Sequence, residues 1–503
     1  MQSSKIYITR DLIKLLWNIF TSNACLLHCH ARSTISPVVF RSVFQRTIRW
    51  RCMPPNCCVD LQRIQRVPSR QDLPRICWIS SIGLRQALHC PHAPLNLGLQ
   101  RTWGKLRVFD LVPYPMSLQS VQLQIVGASR VPFAVKGGGH TANPGFSSTP
   151  GVHISMSRFS EVTYNATAQT AIIGSGLVWD DVYAVLDPLD VTVVGGRFSG
   201  VGVAGYSLGG GYSWKSNTLG LTVDNIAGYE LVLPNGTLTT VTAITNPDLF
   251  FGLKGGLNNF GIVTRFTFKT YPQTQIWGGL ITYTVPTMAA VNKAVADFSA
   301  TVTDPKAQIF SAYNGVAGVP VVAQMLFYDA PVLPPGIFDE FLSIPFVTKG
   351  RRNTIPFVNR APVPDQYHYW FKFWSARLAP LGGLAVSYNI EPFLPSAVPA
   401  NDPATAFPGS RTAGVALCPT NFFFLWLPST SDDIFHDAMH QSISQIKALA
   451  TAQGVLGSSK YTNYAMYDTP LSDIYGQNVP RLQSIKKAVD PQNVMGLAGG
   501  FKF

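Results

Sequence analysis

From about Leu111 the chain alternates short apolar runs with glycine- and proline-bearing turns. Residues 132–136, 152–156 and 170–173 read as strands, being brief runs of branched and aromatic side chains bounded by turn formers. Residues 179–186 read as a short helix stopped before Pro188, since proline cannot continue a helix. The β-branched run 191–194 leads into a stretch with eight glycines between Gly195 and Gly211. Residues 229–233 and 238–241 flank Pro234-Asn235-Gly236 and predict a hairpin, and 262–268 predicts another strand. Beyond Tyr271 strand-like segments at 277–283, 321–328 and 422–427 alternate with helices and proline-rich loops. Residues 432–452 give the clearest helix, with Phe435, Met439, Ile446 and Leu449 near one face and Ser431 placed to cap it. The pattern predicts an α+β fold with no internal repeat.

The 503 residues allow two or three domains and a large core. Few charges and many glycines, prolines and aromatics suit a mixed globular enzyme and exclude a disordered or coiled-coil chain. The net charge of +13 suggests nucleic-acid binding until it is mapped along the chain. Residues 1–115 hold 16 Lys and Arg against four Asp and no Glu, so the rest is nearly neutral and offers no footprint for a polyanion. Seven of the eight cysteines also fall within the first 90 residues. Cys25, His28, Cys29 and His30 admit a disulfide or zinc reading, but residues 1–109 lack clean periodicity. They read as foreign to the rest, as intronic or out-of-frame translation would, with a basic targeting arm as the rival reading. The apolar stretch at 12–20 is broken by Lys14 and has no clear cleavage site, so neither a signal peptide nor a membrane span is supported. Sequons at Asn165 and Asn235 would suit a secreted protein.

Three familiar motifs compete in the central glycine stretch and on the long helix. Gly200-Val-Gly-Val-Ala-Gly205 fits a dinucleotide fingerprint, and Gly205-Tyr-Ser207-Leu-Gly209 fits a serine nucleophile elbow. Both need a helix to follow, and Gly209, Gly210 and Gly211 weaken one by about 1 kcal/mol each. His436 and His440 are one helical turn apart like a zinc pair, but no third ligand is evident, and no metal site is expected. A different constellation accounts for more of the chain. In Lys136-Gly137-Gly138-Gly139-His140, three glycines after a strand let backbone N–H groups approach a pyrophosphate, and Lys136 adds charge. The second glycine stretch with Asp224-Asn225 is the expected opposite wall, and the strand through Gly261, Ile262 and Val263 supplies backbone to an adenine edge.

From Leu111 to Phe503 the chain resembles FAD-linked oxidases of the berberine bridge enzyme type, within the vanillyl-alcohol oxidase and p-cresol methylhydroxylase superfamily. The markers come in family order: Val112-Pro113 with Ser117 and Val121, the loop Lys136–His140, 194–211, Asp224-Asn225, 254–264, and the tail with Tyr461-Thr-Asn463-Tyr, Tyr475-Gly476, Arg481-Leu482 and Val489-Asp490-Pro491. The resemblance implies an FAD domain of two subdomains at 110–272 and a substrate domain at 273–455, an antiparallel sheet flanked by helices. A tail at 456–503 returns to the FAD domain. It implies a covalent bond from His140 to the flavin, with Thr141, Ser199, Gly200, Val201, Gly202, Gly205, Gly209, Gly210 and Asn463 also at the cofactor. Phe198 stands where doubly attached members carry cysteine, so a single bond is expected. Val201 falls where the family gates oxygen, which implies reoxidation by O₂ with release of H₂O₂.

The implied reaction is hydride transfer from a small alcohol, sugar or secondary metabolite, with Tyr461 or Tyr388 as the base. A phenol in that role must be deprotonated or paired with a cation. Tyr461 is favoured by its Tyr-x-Asn setting, and simple packing against the flavin is the alternative. An oxidative cyclase, or a flavoprotein inactivated by its N-terminal segment, are the rival functions. The expected partners are a small substrate and O₂, without nucleic acid or an obligate protein partner, and the family and sequons point to the secretory pathway. Trp370, Phe371, Phe373, Trp374 and Trp426 serve equally as substrate walls or as core.

Overall fold

The computed structural model describes residues 123–124 and 126–503, except 317–318, 352–373, 375, 399–404, 409–415, 428 and 455–458. The readings of residues 1–109, of Val112–Val121, and of Trp370, Phe371 and Phe373 therefore lie outside the described residues.

β1 (Phe133–Lys136) and β2 (Val152–Ser155) pair in parallel and precede an antiparallel sheet. That sheet comprises β3 (Val162–Asn165), β4 (Thr170–Gly174), β6 (Ile226–Val232), β7 (Leu238–Thr242) and β8 (Ile262–Lys269), in the order β3-β4-β8-β6-β7. A small pair, β5 (Val191–Thr192) with β9 (Tyr271–Pro272), lies apart from it. The predicted hairpin is β6–β7, and its turn places Gly236 at φ +86°, a conformation that favours glycine. α1 (Trp179–Leu186) has the predicted bounds and buries Trp179, Val182 and Leu186 against this sheet, with Trp179 edge-on to Phe268. The glycine stretch contains a helix after all, α2 (Val203–Leu208), which stops where Gly209 begins the glycine run.

A six-stranded antiparallel sheet follows, in the order β13-β10-β12-β11-β14-β15. Its strands are β10 (Trp277–Thr284), β11 (Ala307–Val316), β12 (Val319–Tyr328), β13 (Thr348–Arg351), β14 (Gly383–Ile390) and β15 (Thr420–Trp426). α3 (Met288–Thr301) and α4 (Asp432–Ala452) cover one face, where Val291, Val295, Phe298, Phe435 and Ala438 join Ile309, Tyr313, Val322 and Tyr388 in one core. Because side chains alternate along a strand, the other face carries a separate set including Phe310, Ala312, Asn389, Asn421 and Phe423. These elements give the α+β architecture expected: an antiparallel sheet flanked by helices beside the glycine-rich region. α5 (Val479–Val489) lies in the tail, where Leu482 and Ile485 enter the core of the first region.

One detail of α4 differs from expectation: Ser431 does not cap it, and its hydroxyl donates to the Leu381 carbonyl at 3.1 Å. Of the aromatics read as substrate walls or core, Trp426 is half-buried against the core, stacked on Phe435 at 4.6 Å with its indole N–H donating to Asp432 at 2.7 Å, and Trp374 is buried in that core. Among the described residues no helix is long and apolar enough to cross a membrane.

Candidate active site

The loop after β1, the loop before α2, the start of β8, the tail and the open face of the larger sheet enclose a cavity of about 430 Å³. Two glycine loops meet in its wall. A Cβ on Gly138 would lie 2.5 Å from the Gly202 Cα, and one on Gly202 would lie 2.6 Å from the Gly138 Cα, so only glycine lets these backbones touch. Gly205 behaves differently: it lines the cavity, yet a Cβ there meets nothing within 4 Å. Such a side chain would fill cavity space rather than strike protein, as expected where a ligand lies against backbone. Gly137, Gly139, Thr141, Val201, Gly261, Ile262, Val263 and Asn463 complete the sequence-predicted residues on this wall. The site suits a ligand with a phosphate-bearing segment, because glycine backbone can hydrogen-bond phosphate oxygens without steric cost.

His140 opens onto the same cavity, and desolvation by the surrounding protein lowers its pKa below 6.5. It is therefore neutral at pH 7, the form in which an imidazole nitrogen has a lone pair to form a bond.

Other expected cofactor residues serve the walls instead. Lys136 lies behind the loop, where its stem would meet a Cβ on Gly139 at 2.5 Å. Ser199 donates to Asp180 at 2.6 Å and the Gly200 N–H donates to the same carboxylate at 2.7 Å, which ties this loop to α1. Gly209 and Gly210 make room for the tail: a Cβ on Gly209 would collide with the Asn463 amide, and one on Gly210 would lie 2.6 Å from Phe407 and 3.2 Å from Tyr461. Asp224 accepts the Leu221 N–H at 2.7 Å. Asn225 donates to the Leu219 and Leu221 carbonyls at 2.9 and 2.8 Å and accepts from Tyr271, so both residues brace a turn outside the cavity.

The two tyrosine candidates separate cleanly. Tyr388 points to the helical side of the six-stranded sheet; its hydroxyl is 2.6 Å from Ser442 and its ring is 4.7 Å from Phe422. Asn389, one residue on, faces the cavity instead. Tyr388 is therefore corrected to a core residue. Tyr388→Phe should lower stability by about 1 kcal/mol, read by chemical denaturation, and leave turnover unchanged.

Tyr461 lines the cavity, and its oxygen accepts N–H bonds from Gly211 at 3.1 Å and Asn463 at 2.9 Å. Both donors stay in place if the phenol loses its proton. Burial raises its pKa to about 12, opposed by the Asn463 bond, the Arg197 charge and the Gly211 N–H, with Glu391 adding to the rise.

Arg197, Glu391 and Tyr464 also line the cavity, and the sequence reading had missed them. Arg197 and Glu391 form a buried ion pair, with side chains 4% and 1% exposed. Tyr464 donates to Glu391 at 2.5 Å and accepts from Arg197 at 2.9 Å. Burial would lower the Arg197 pKa, but the Glu391 charge prevails and raises it. A carboxylate inside the apolar run 384–394 was the one available sequence clue.

The rival motifs lose their geometry. Ser207 is fully buried in α2 while its neighbours Gly205, Tyr206 and Leu208 line the cavity, so it presents no nucleophile. His440 pairs with Asp468 at 3.2 Å and His436 lies edge-on to Trp426, and among the described residues no cluster of metal-ligand side chains occurs.

Comparison with known proteins agrees with this geometry. The sequence matches the FAD binding domain family over residues 111–242 and the berberine and berberine-like family over residues 460–498. It is 30% identical over 408 residues to the FAD-dependent monooxygenase drtC of Aspergillus calidoustus, covering 75% of this chain and 78% of that protein. An uncharacterized FAD-linked oxidoreductase of Arthroderma benhamiae is 42% identical over 225 residues, and the match spans 44% of either chain, under half of that relative's length. Among solved structures, BBE-like 1 of Physcomitrella patens superposes with a TM-score of 0.63 at 22% identity, over 77% of this chain and 89% of that one. At that identity the likeness concerns the fold.

Proposed function

This chain belongs to the berberine-bridge-type family of FAD-linked oxidoreductases, and from that membership we propose an oxidase that holds FAD through a single bond to His140 and uses Tyr461 as its base. The substrate in this reading is a small alcohol, sugar or secondary metabolite. FAD, when bound, supplies the acceptor for a hydride from the substrate carbon and passes the electrons to O₂ as H₂O₂. The observation that carries the reading is Tyr461, a residue of the cavity lining whose oxygen accepts two N–H bonds at 3.1 and 2.9 Å.

The chain's own contribution is orientation and proton handling. Gly138 and Gly202 pack backbone to backbone in the cavity wall, and Gly205 leaves open room along it for the cofactor. Neutral His140 offers a ring nitrogen for attachment, supported by its lowered pKa. Tyr461 takes the substrate O–H proton as its phenolate, whose negative charge the Gly211 and Asn463 N–H groups hold until the proton arrives. Arg197 lies close enough to favour that charge and Glu391 close enough to oppose it, with Arg197 the larger influence of the two.

Attachment is tested by acid precipitation of purified protein. The pellet should stay yellow and fluorescent, and His140→Ala should release its FAD to the supernatant. A colourless pellet from the unmutated protein would remove the attachment claim. Because the Aspergillus relative is named a monooxygenase, ¹⁸O₂ turnover separates the two chemistries. An oxidase leaves the label in H₂O₂ and not in the organic product.

A further inference from the structure

The cavity-facing side of the six-stranded sheet carries a polar relay that none of the chemistry above requires. Ser387 donates to the Asn389 Oδ1 at 2.9 Å, and the Asn389 Nδ2 donates to the Asn421 Oδ1 at 3.2 Å. Asn389 and Asn421 are direct cross-strand partners between β14 and β15, so the sheet itself fixes their separation. With its carbonyl oxygen engaged by Asn389, Asn421 turns its Nδ2 away from the relay. Among the described residues that group has no partner, and Asn421 lines the cavity.

Apolar surface surrounds this donor. Phe423, two residues along β15 on the same face, is 45% exposed, and Phe198 is 39% exposed and edge-on to Phe310 at 5.5 Å. All three line the cavity. Exposed phenylalanines in a concave site favour an occupant with apolar faces, because covering each ring removes apolar area from water. The carboxylate of the cavity does not change that preference. Both Glu391 oxygens are engaged, by Arg197 and Tyr464, so its charge is not offered to a ligand without breaking a buried pair.

We propose that Asn421 is the substrate-orienting donor of this site, and that the substrate is a neutral, flat aromatic alcohol whose acceptor oxygen, remote from the reacting carbon, takes the Asn421 Nδ2–H while its ring lies among Phe198, Phe310 and Phe423. Asn389 and Ser387 act through Asn421 as positioning residues. Sugars fit less well, because one amide donor and three phenyl rings leave most of their hydroxyls unpaired. The inference rests on the reading of the cavity as an FAD oxidase site and narrows its substrate class.

The test is equilibrium binding to purified holoenzyme, followed by perturbation of the flavin absorbance, with 3,4-dimethoxybenzyl alcohol, benzyl alcohol and cellobiose as probes. The dimethoxy compound should bind about tenfold tighter than benzyl alcohol, the factor expected for one net hydrogen bond, and cellobiose should bind weakest. Asn421→Ala should erase the difference between the two aromatics by weakening only the dimethoxy compound. Asn421→Asp keeps the shape and replaces the donor with an acceptor, so it should do the same, and it serves if the alanine variant fails to fold. Tightest binding of cellobiose, no binding of either aromatic, or an unchanged preference in both variants would overturn the proposal. Flavin retention in acid precipitates and loss of flavin reduction in Tyr461→Phe report on the underlying oxidase reading separately, so the two can fail independently.

Discussion

Replacing Tyr461 by Phe should lower the rate of flavin reduction by 10²- to 10⁴-fold, the range for loss of a positioned general base, while flavin content stays at the unmutated level. The change removes one oxygen and keeps the ring, which stacks on Tyr212 with centroids 3.8 Å apart. It leaves the Gly211 and Asn463 N–H groups without that acceptor, which should cost about 1–3 kcal/mol of stability but no cofactor, since neither donor depends on His140. The pH profile gives an independent reading. Burial places the phenol pKa at about 12, so at neutral pH the tyrosine is almost wholly protonated. A base acts from its deprotonated form, so the reduction rate should climb roughly tenfold per pH unit through the neutral range and level off only near the pKa. Glu391 is among the groups that raise that pKa, and Glu391→Gln should therefore shift the profile toward lower pH. A flat profile in the unmutated protein, or a Phe variant within threefold of it, would exclude Tyr461 as the base.

Gly205→Leu should abolish flavin binding in a protein that remains folded. Gly205 lies in α2, where leucine is a better helix former than glycine by up to about 1 kcal/mol, and a Cβ there meets nothing within 4 Å. Considered as part of the protein alone, the substitution is neutral or stabilising. Its only steric consequence is a side chain projecting into the cavity. The flavin-to-protein ratio should fall close to zero while circular dichroism and the midpoint of chemical denaturation match flavin-free unmutated protein. Gly202→Val makes a useful contrast. Its branched side chain would drive into Gly138 backbone, so both cofactor and stability should be lost, the latter by roughly 1–3 kcal/mol or more. Full flavin occupancy in Gly205→Leu would mean that the cofactor does not lie along α2.

Much of the secondary structure was legible because it depends on local pattern. α1 and α4 have their predicted bounds, set by helical periodicity and by Pro188 at the end of the first. The β6–β7 hairpin followed from its Pro-Asn-Gly turn. β11 and β14 were not anticipated, although both are inner strands of the six-stranded sheet. Both mix polar residues such as Gln308, Ser311, Asn314, Ser387 and Asn389 among apolar ones, because one face meets helices and the other meets a cavity. That two-sided demand blurs the alternation by which a strand is recognised.

The glycine-rich loops, the histidine that follows the first of them and the Tyr-x-Asn of the tail could be read from residue order, because those features depend on residue type within a few positions. Backbone that must approach closely requires glycine wherever it occurs, and that requirement is readable before any fold is known. Which glycines open on the cavity and which meet protein depends on how distant segments pack. Gly205 opens on the cavity, whereas Gly209 and Gly210 admit Asn463 and Tyr461 from some 250 residues away. That packing also put Tyr388 in a core and Tyr461 in the cavity lining, and it brought Arg197, Glu391 and Tyr464 together. These are long-range outcomes: strand pairing fixes which face a side chain takes, and packing of the tail against α2 fixes what it meets. Neither is written into any local stretch of the chain.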